Sequence, residues 1–189
     1  CFIGNDVTIG NNCTIHSNVS IYDNTVIGDN VIIHANTVLG GSAFYYKNRP
    51  DGYDQLISGG NVVIENNVDI GASCTIDRGV SASTLIKEGT KIDNLVQIGH
   101  DTIIGKKCLI ASQVGIAGCV IVEDEVTIWG QVGITSGVTI GSKAIISAKS
   151  GVSKSLDSNK RYFGIPADDF RSKYKEIAAV RKIPEILEK

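Results

Sequence analysis

The stretch IDNLVQIGHDTIIGKKCLIASQVGIAGCVIV (residues 92–122) carries an aliphatic residue at every sixth position. The same spacing runs without a miss from Ile86 to Val152, and it also covers residues 3–39 and 64–76. A period of six fits neither a helix nor a simple alternating strand, whereas β-branched residues followed by Gly, Asn or Asp favour short strands joined by tight corners. The sequence therefore predicts an all-β solenoid of hexapeptide repeats.

The position of a residue within its repeat predicts which way its side chain points. Residues two positions before each aliphatic anchor are also small or aliphatic, so both positions should face the core, and the corner should fall two and three residues after the anchor. Three such strands close one triangular coil, so residues 18 apart in an uninterrupted run should lie one above the other. His100, two residues after Ile98, is therefore predicted on an exposed corner with Gly118 over it.

Two insertions interrupt the repeat, and a C-terminal segment without the repeat follows it. Residues 40–60 form an inserted loop rich in Tyr and Gly, and residues 77–85 add a smaller bulge. Inserted loops of a solenoid often shape a cleft, so the longer loop is expected to touch a ligand or a neighbouring subunit, with a plain tolerated insertion as the alternative. The coil is predicted over residues 1–153, and an exit loop with a short C-terminal α-helical segment over residues 154–189 is expected to cap its open end.

The composition narrows the classes of function. The chain has 189 residues, 42% of them hydrophobic, and a net charge of −2, so it can bury a core but has no basic field that would attract nucleic acid. Its five cysteines include no CxxC pair, and Cys13, Cys74 and Cys108 share one phase of the repeat, which favours reduced core thiols over disulfides or metal ligands. The sequence contains no run of about 18 apolar residues and no signal-peptide pattern, so a cytoplasmic protein without a transmembrane segment is expected.

His100 is the first candidate for chemistry. Gln97, Gly99 and Asp101 surround it in the repeat, and an imidazole among hydrogen-bonding groups suits a general base acting near neutral pH. These residues alone do not decide whether His100 is catalytic, because a solvated corner histidine would have the same sequence pattern. No GxSxG, Walker A or GxGxxG motif offers another catalytic signature.

His16 and His34 raise the alternative of a metal site. Both follow their anchors by one residue and lie 18 apart, so their side chains should stack on one face of the coil. A catalytic zinc ion needs three protein ligands, and the third of the three histidines, His100, lies several coils away. Surface stacking without a metal is therefore favoured.

Three motifs carry a resemblance to a known family. KIDNLVQIGHDTIIGKKCLIASQVGIAG (residues 91–118), VDIGASCTIDRG (residues 68–79) and the exit motif FGIPAD (residues 163–168) are similar to the UDP-3-O-acylglucosamine N-acyltransferases of lipid A biosynthesis. The resemblance covers nearly the whole chain. Its most specific part is IDNLVQIGHD, because the hexapeptide spacing alone is shared by many acyltransferases and identifies no substrate.

The resemblance implies a fold, an assembly and a reaction. The fold would be a left-handed parallel β-helix, assembled as a homotrimer with active sites in the clefts between subunits. The reaction would move a 3-hydroxyacyl chain from acyl carrier protein to the 2-amine of UDP-3-O-acylglucosamine. The carrier protein brings its own phosphopantetheine, so no further cofactor is implied. A basic surplus over residues 160–189, including Arg171, Lys173 and Lys175, is expected either to dock the acidic carrier or simply to solvate a helix.

The same resemblance assigns roles to individual residues. His100 would be the base that takes a proton from the attacking amine, and the backbone N–H of Gly118 would stabilise the oxyanion. Asp93, Asn94 and Gln97 would orient the sugar or the histidine.

Asp101 and the missing first lobe depart from the family pattern. The family commonly has asparagine at the position of Asp101. A His-Asp pair instead resembles the pair in the O-acyltransferase that acts one step earlier in the pathway. Asp101 is predicted to be a substrate-binding residue. The family's N-terminal uridine-binding lobe is absent from the sequence, which is expected to be a piece of a longer protein. Two alternatives stay open: a UDP-N-acetylglucosamine O-acyltransferase, and a non-catalytic hexapeptide scaffold that only assembles.

Overall fold

The computed structural model describes residues 1–164 and 169–187, without the side chains of residues 173 and 184–187. Most of the chain forms a left-handed parallel β-helix of short strands. In chain order the elements are β1 Phe2–Ile3, β2 Thr8–Ile9, β3 Thr14–Ile15, β4 Ser20–Ile21, β5 Val26–Ile27, β6 Ile32–Ile33, β7 Val38–Gly41, β8 Tyr46–Arg49, β9 Gly52–Gln55, β10 Asn61–Ile64, β11 Asp69–Ile70, β12 Thr75–Asp77, β13 Ser83–Ile86, β14 Lys91–Ile92, β15 Gln97–Ile98, β16 Ile103–Ile104, β17 Leu109–Ile110, β18 Gly115–Ile116, β19 Ile121–Val122, β20 Thr127–Ile128, β21 Gly133–Ile134, β22 Thr139–Ile140, β23 Ile145–Ile146, β24 Gly151–Val152, β25 Arg161–Tyr162 and α1 Phe170–Leu187.

Three parallel sheets form the faces of the coil. One contains β1, β4, β7, β12, β15, β18, β21 and β24; the second runs from β2 to β22, and the third from β3 to β25. Ile98 pairs with Ile116 and Ile116 with Ile134, which confirms the predicted register of 18 residues per coil. The anchor side chains point inward and, with the residues two positions before them, build one continuous buried core. Burial of these stacked aliphatic side chains is what stabilises the coil.

The corners explain the recurrence of asparagine and aspartate. The residue three after the anchor has a left-handed backbone, with φ of 55° at Asn12 and 53° at Asp101. Asn and Asp tolerate this conformation better than other side-chain-bearing residues, which is why they recur there in the early coils. His100 therefore lies in the turn that separates β15 from β16, as the spacing predicts.

Both insertions interrupt the coil where the sequence places them. The longer one carries an antiparallel hairpin of β8 and β9, with Tyr46 opposite Gln55. The shorter one links β12 to β13, and a register irregularity at Asp77 marks its start. Both lie beside the corner that holds His100, as the hydrogen bonds and ring contacts of that corner show.

The C-terminal segment forms the helix α1. Its predicted apolar face, which includes Phe170, Tyr174 and Ile177, is exposed, so the expected capping of the coil by this face is not observed. Four residues of the exit motif, 165–168, lie outside the described residues. Within the described part of the chain, no helix combines the length and the apolar character needed to cross a membrane.

Candidate active site

His100 is more buried than a coil corner should be. Its side chain is 13% exposed, so the predicted exposed position is wrong. The ring of Tyr45, from the longer insertion, lies edge-on to the imidazole with 5.5 Å between ring centroids. The insertion therefore shields from water a side chain that the bare repeat would leave in solvent.

Asp101 holds one nitrogen of His100. The Oδ2 atom of Asp101 lies 2.9 Å from His100 Nδ1 and accepts a second hydrogen bond, also 2.9 Å, from the N–H of Val80. Its Oδ1 atom accepts from the N–H groups of Ala82 at 2.9 Å and Ser81 at 3.4 Å. The 77–85 bulge thus fixes the carboxylate, and the carboxylate fixes the imidazole with Nδ1 as the donor, which leaves Nε2 free to accept a proton.

The pKa of Asp101 reflects these contacts. Partial burial would raise the pKa of its carboxyl, but the hydrogen bonds from His100 and from the backbone of Val80, Ala82 and Ser81 outweigh burial and hold it below its usual value. Asp101 is therefore ionised at neutral pH and can stabilise an imidazolium at His100. It acts on the histidine, and the structure gives no separate reason to group it with substrate-binding residues.

Gly118 lies against the free edge of the imidazole. A Cβ atom built on Gly118 would lie 2.5 Å from His100 Nε2, so any side chain at this position would collide with the ring. At some equivalent corner positions the backbone N–H is taken by a side chain of the next coil, as in Lys106 N–H to Asp124 Oδ1 at 2.8 Å. Among the described residues, no acceptor takes the N–H of Gly118. A proton acceptor and a glycine whose N–H has no acceptor thus line the same pocket, and these are two groups that acyl transfer can use.

A pocket of about 530 Å³ opens onto this pair. Gln97 also lines this pocket. Its Nε2 atom donates to Asp77 Oδ2 at 3.0 Å, and Thr75 Oγ1 donates to Gln97 Oε1. Sequence reasoning missed Asp77 and Tyr45. The available signal was their place in the two insertions, since Asp77 begins the shorter one and Tyr45 belongs to the longer one.

Asp93 and Asn94 lie at a different corner of the β-helix from His100. They occupy the preceding corner and line a different groove of about 520 Å³ together with Lys91 and Trp129. Asn94 Oδ1 accepts from the N–H of Ala72 at 2.7 Å, and Asp93 Oδ1 accepts from the N–H of Asn94 at 2.7 Å. Within one chain the structure does not bring them to His100, so their role in substrate binding stays a prediction.

The surroundings of His100 include three groups that could ligate a metal ion. His100, Asp101 and Cys119 offer ligand atoms within 4.8 Å of one another, the one such group in residues 1–164 and 169–187. Both oxygens of Asp101 already accept hydrogen bonds from the backbone, so the arrangement fits a positioned histidine better than a metal centre. Partial burial, and after it the charge of Asp101, raises the pKa of the Cys119 thiol and disfavours a thiolate ligand or nucleophile.

His16 and His34 stack as predicted. Their ring centroids are 4.8 Å apart and their planes differ by 7°. Asp69 Oδ1 lies 3.4 Å from His34 Nε2 on the same exposed face. This stack lines no wall of the His100 pocket.

Two hexapeptide family models match the coil. The bacterial transferase hexapeptide (six repeats) matches residues 6–41 and 83–118, and the hexapeptide repeat of succinyl-transferase matches residues 61–81 and 119–149. Both matches follow the strands that carry the buried anchors.

Curated relatives share substantial identity with part of the chain. The UDP-3-O-acylglucosamine N-acyltransferase of Methylobacterium nodulans is 40% identical over 113 residues, which cover 60% of this chain and 32% of that protein. The enzyme of the same name from Rhizobium meliloti is 52% identical over 108 residues, covering 57% of this chain and 30% of that protein. The chain thus spans about a third of the length of the curated relatives that it matches.

Solved structures share the fold over most of the chain. The UDP-N-acetylglucosamine acyltransferase of Francisella novicida superposes with a TM-score of 0.79 at 27% identity, covering 92% of this chain and 64% of that one. The Bacteroides fragilis protein of that name gives a TM-score of 0.71 at 21% identity, covering 88% of this chain and 67% of that one, and supports the fold alone.

Proposed function

We propose that the chain transfers a 3-hydroxyacyl group from acyl carrier protein to the 2-amine of UDP-3-O-acylglucosamine, since it matches hexapeptide transferase models and is 40% identical over 113 residues to an N-acyltransferase of that acceptor. The observation that carries the proposal is a histidine whose Nδ1 is held by Asp101 and whose pocket also contains Gly118, a glycine whose N–H has no acceptor among the described residues. A scaffold that only assembles has no need of this arrangement.

The proposed reaction uses His100 twice. As the amine nitrogen attacks the thioester carbon, a C–N bond forms and His100 Nε2 takes a proton from that nitrogen. The carbonyl oxygen becomes an oxyanion and accepts a hydrogen bond from the N–H of Gly118. Collapse of this intermediate breaks the C–S bond, and the imidazolium returns its proton to the departing thiolate. Asp101 stabilises the imidazolium between these two steps.

The nature of the acceptor is the finer part of the proposal. The relatives from Methylobacterium nodulans and Rhizobium meliloti are named as N-acyltransferases, and their identity to this chain exceeds that of the solved structures. The second candidate is O-acylation of UDP-N-acetylglucosamine, which is favoured by the Francisella novicida structure and its coverage of 92% of this chain.

The proposed partners follow from the same reaction. We place the site in a homotrimer, because a cleft between copies would close the pocket against water. Arg171 and Lys175 are exposed on α1 and are candidates for docking the acidic carrier protein. The side chain of Lys173, part of the same prediction, lies outside the described residues.

A transfer assay with two acceptors tests the proposed function. The purified protein is incubated with 3-hydroxyacyl carrier protein and either UDP-3-O-acylglucosamine or UDP-N-acetylglucosamine, and the products are identified by mass spectrometry. We expect an amide product from the first acceptor. An ester from the second acceptor alone would favour O-acylation, and no product from either would favour the non-catalytic scaffold.

A further inference from the structure

Asp77 is a carboxylate in the His100 pocket without a Lys or Arg partner among the described residues. It ends strand β12, is half-buried and lines the same pocket as His100 and Gly118. The neighbouring Arg78 does not neutralise it, because the Arg78 guanidinium donates to the carbonyl oxygens of Gly40 and Asp23. No Lys or Arg in the described part of the chain forms an ion pair with Asp77.

The hydrogen bonds of Asp77 are also incomplete. Its Oδ2 atom accepts one bond, from Gln97 Nε2 at 3.0 Å, and no donor among the described residues reaches Oδ1. Gly41 lies beside Oδ1 and has no side chain to fill the space. Burial raises the pKa of the Asp77 carboxyl, and the bond from Gln97 and the charge on His100 offset this only in part. A half-buried carboxylate in this state favours a ligand that brings N–H groups or positive charge.

From this geometry, and on the basis of the proposed function, we propose that Asp77 binds the acceptor amine and selects an amine over a hydroxyl. The acceptor must reach His100 Nε2 in a pocket that Asp77 also lines. The substrate class that fits is therefore a sugar whose reacting position carries a primary amine.

The number of hydrogens on the acceptor atom explains the selectivity. A neutral primary amine has a lone pair for attack and two N–H groups, one for His100 and one for Asp77. A hydroxyl has one O–H, which the base must take, so Asp77 would be left facing the acceptor oxygen without a donor. A site that leaves a buried polar group unpaired discriminates strongly against such an acceptor. The acceptor amine is an ammonium ion until it releases one proton to solvent, and in that form its positive charge would be attracted by the Asp77 carboxylate.

The test compares acceptor preference in Asp77→Asn and in the unchanged protein. kcat/KM is measured for UDP-3-O-acylglucosamine and for its analogue with a hydroxyl at position 2. In Asp77→Asn the side-chain oxygen stays with Gln97 Nε2, so the Nδ2 group faces the acceptor and cannot accept an N–H. We expect the amine-to-hydroxyl ratio to fall roughly 10-fold to 100-fold, the usual effect of losing a hydrogen bond to a charged group. An unchanged ratio would overturn the inference, because a merely structural role for Asp77 would lower both rates together.

Controls separate this inference from the proposed function. Asp29→Asn removes the same charge at a distant corner, where asparagine can still accept the hydrogen bond from Asn11, and should leave the ratio unchanged. If the unchanged protein acylates neither acceptor, the proposed function fails before Asp77 is tested. If Asp77→Asn does not fold, Asp77→Ser is measured against the same criterion.

Discussion

Two histidine–aspartate pairs of the same β-helix have very different surroundings. His34 and Asp69 are 3.4 Å apart, with side chains 45% and 35% exposed. His100 and Asp101 are 2.9 Å apart, with side chains 13% and 16% exposed. The first pair lies on a regular face of the coil, whereas the second lies where both insertions meet the repeat.

The difference shows that a histidine beside an aspartate is not yet a catalytic arrangement. Asp101 accepts three backbone hydrogen bonds from the 77–85 bulge, so the position of its carboxylate does not depend on the imidazole alone. Gly118, which has no side chain, lies against the Nε2 edge of the ring. His34 instead stacks on His16 and remains in solvent. Preorganisation by neighbouring backbone, more than the pair itself, separates the two sites.

Removing each histidine in turn tests this contrast and should give the largest effect. We expect His100→Ala to lower kcat roughly 10²-fold to 10⁴-fold, the usual contribution of a positioned base. His34→Ala is the matched control and should keep kcat within about twofold of the value for the unchanged protein, since substitution of an exposed surface residue has small effects. Both variants should keep the thermal transition of the coil, because neither ring belongs to the aliphatic core.

The opposite pattern would overturn the assignment. If His100→Ala keeps more than about a third of kcat with an unchanged melting curve, the loss is far below that of a base and His100 is only a corner residue. A large loss in His34→Ala would instead move the chemistry to the stacked face.

The coil was predictable because its signal is local and repeated. An anchor every six residues determines the strands, the inward side chains and the register, so the position of Gly118 over His100 followed from counting. The left-handed corners repeat with the same period. Asparagine and aspartate mark many of them in the sequence.

The surroundings of the candidate site were not predictable in the same way. The burial of His100 depends on Tyr45, and the position of Asp101 depends on the backbone of the 77–85 bulge. Tyr45 and the bulge belong to the two insertions, which have no sequence periodicity. Asp93 is only seven residues before His100 in the sequence, yet one repeat in this fold leads to a different corner of the triangle. Contacts between an insertion and the coil are set by tertiary packing, which a repeat pattern does not encode.

Filling the space at Gly118 should have the second largest effect. In Gly118→Ala the new methyl group would collide with the imidazole, 2.5 Å from Nε2, so the ring must turn away from the unused N–H. We expect kcat to fall roughly 10-fold to 100-fold, because a displaced base remains present but badly aligned. Gly133→Ala is the control on a neighbouring strand of the same sheet, since a Cβ there meets nothing within 4 Å. Equal activity in the two alanine variants would contradict the role given to Gly118.

Asp101→Asn should give the smallest loss of activity and a distinct effect of pH on stability. Asparagine can still accept from His100 Nδ1 through Oδ1, so we expect kcat to fall by less than about tenfold. Its Nδ2 group cannot accept from the backbone of the bulge, so the variant should melt a few degrees lower near neutral pH, about the shift of a lost hydrogen bond.

The sign of the pH effect follows from the lowered pKa of Asp101. Its carboxyl has a usual value of 3.8 and a lower value in the folded protein, so the folded state binds this proton less readily than the unfolded state. The stabilisation by the carboxylate is therefore complete above the usual value and is lost as the pH falls through the lowered one. Thermal melting of both proteins should show a difference from about pH 7 down to about pH 5, and one that shrinks below about pH 4. A difference that persists unchanged in acid would mean that shape at this corner, and not the carboxylate charge, stabilises the bulge that holds His100.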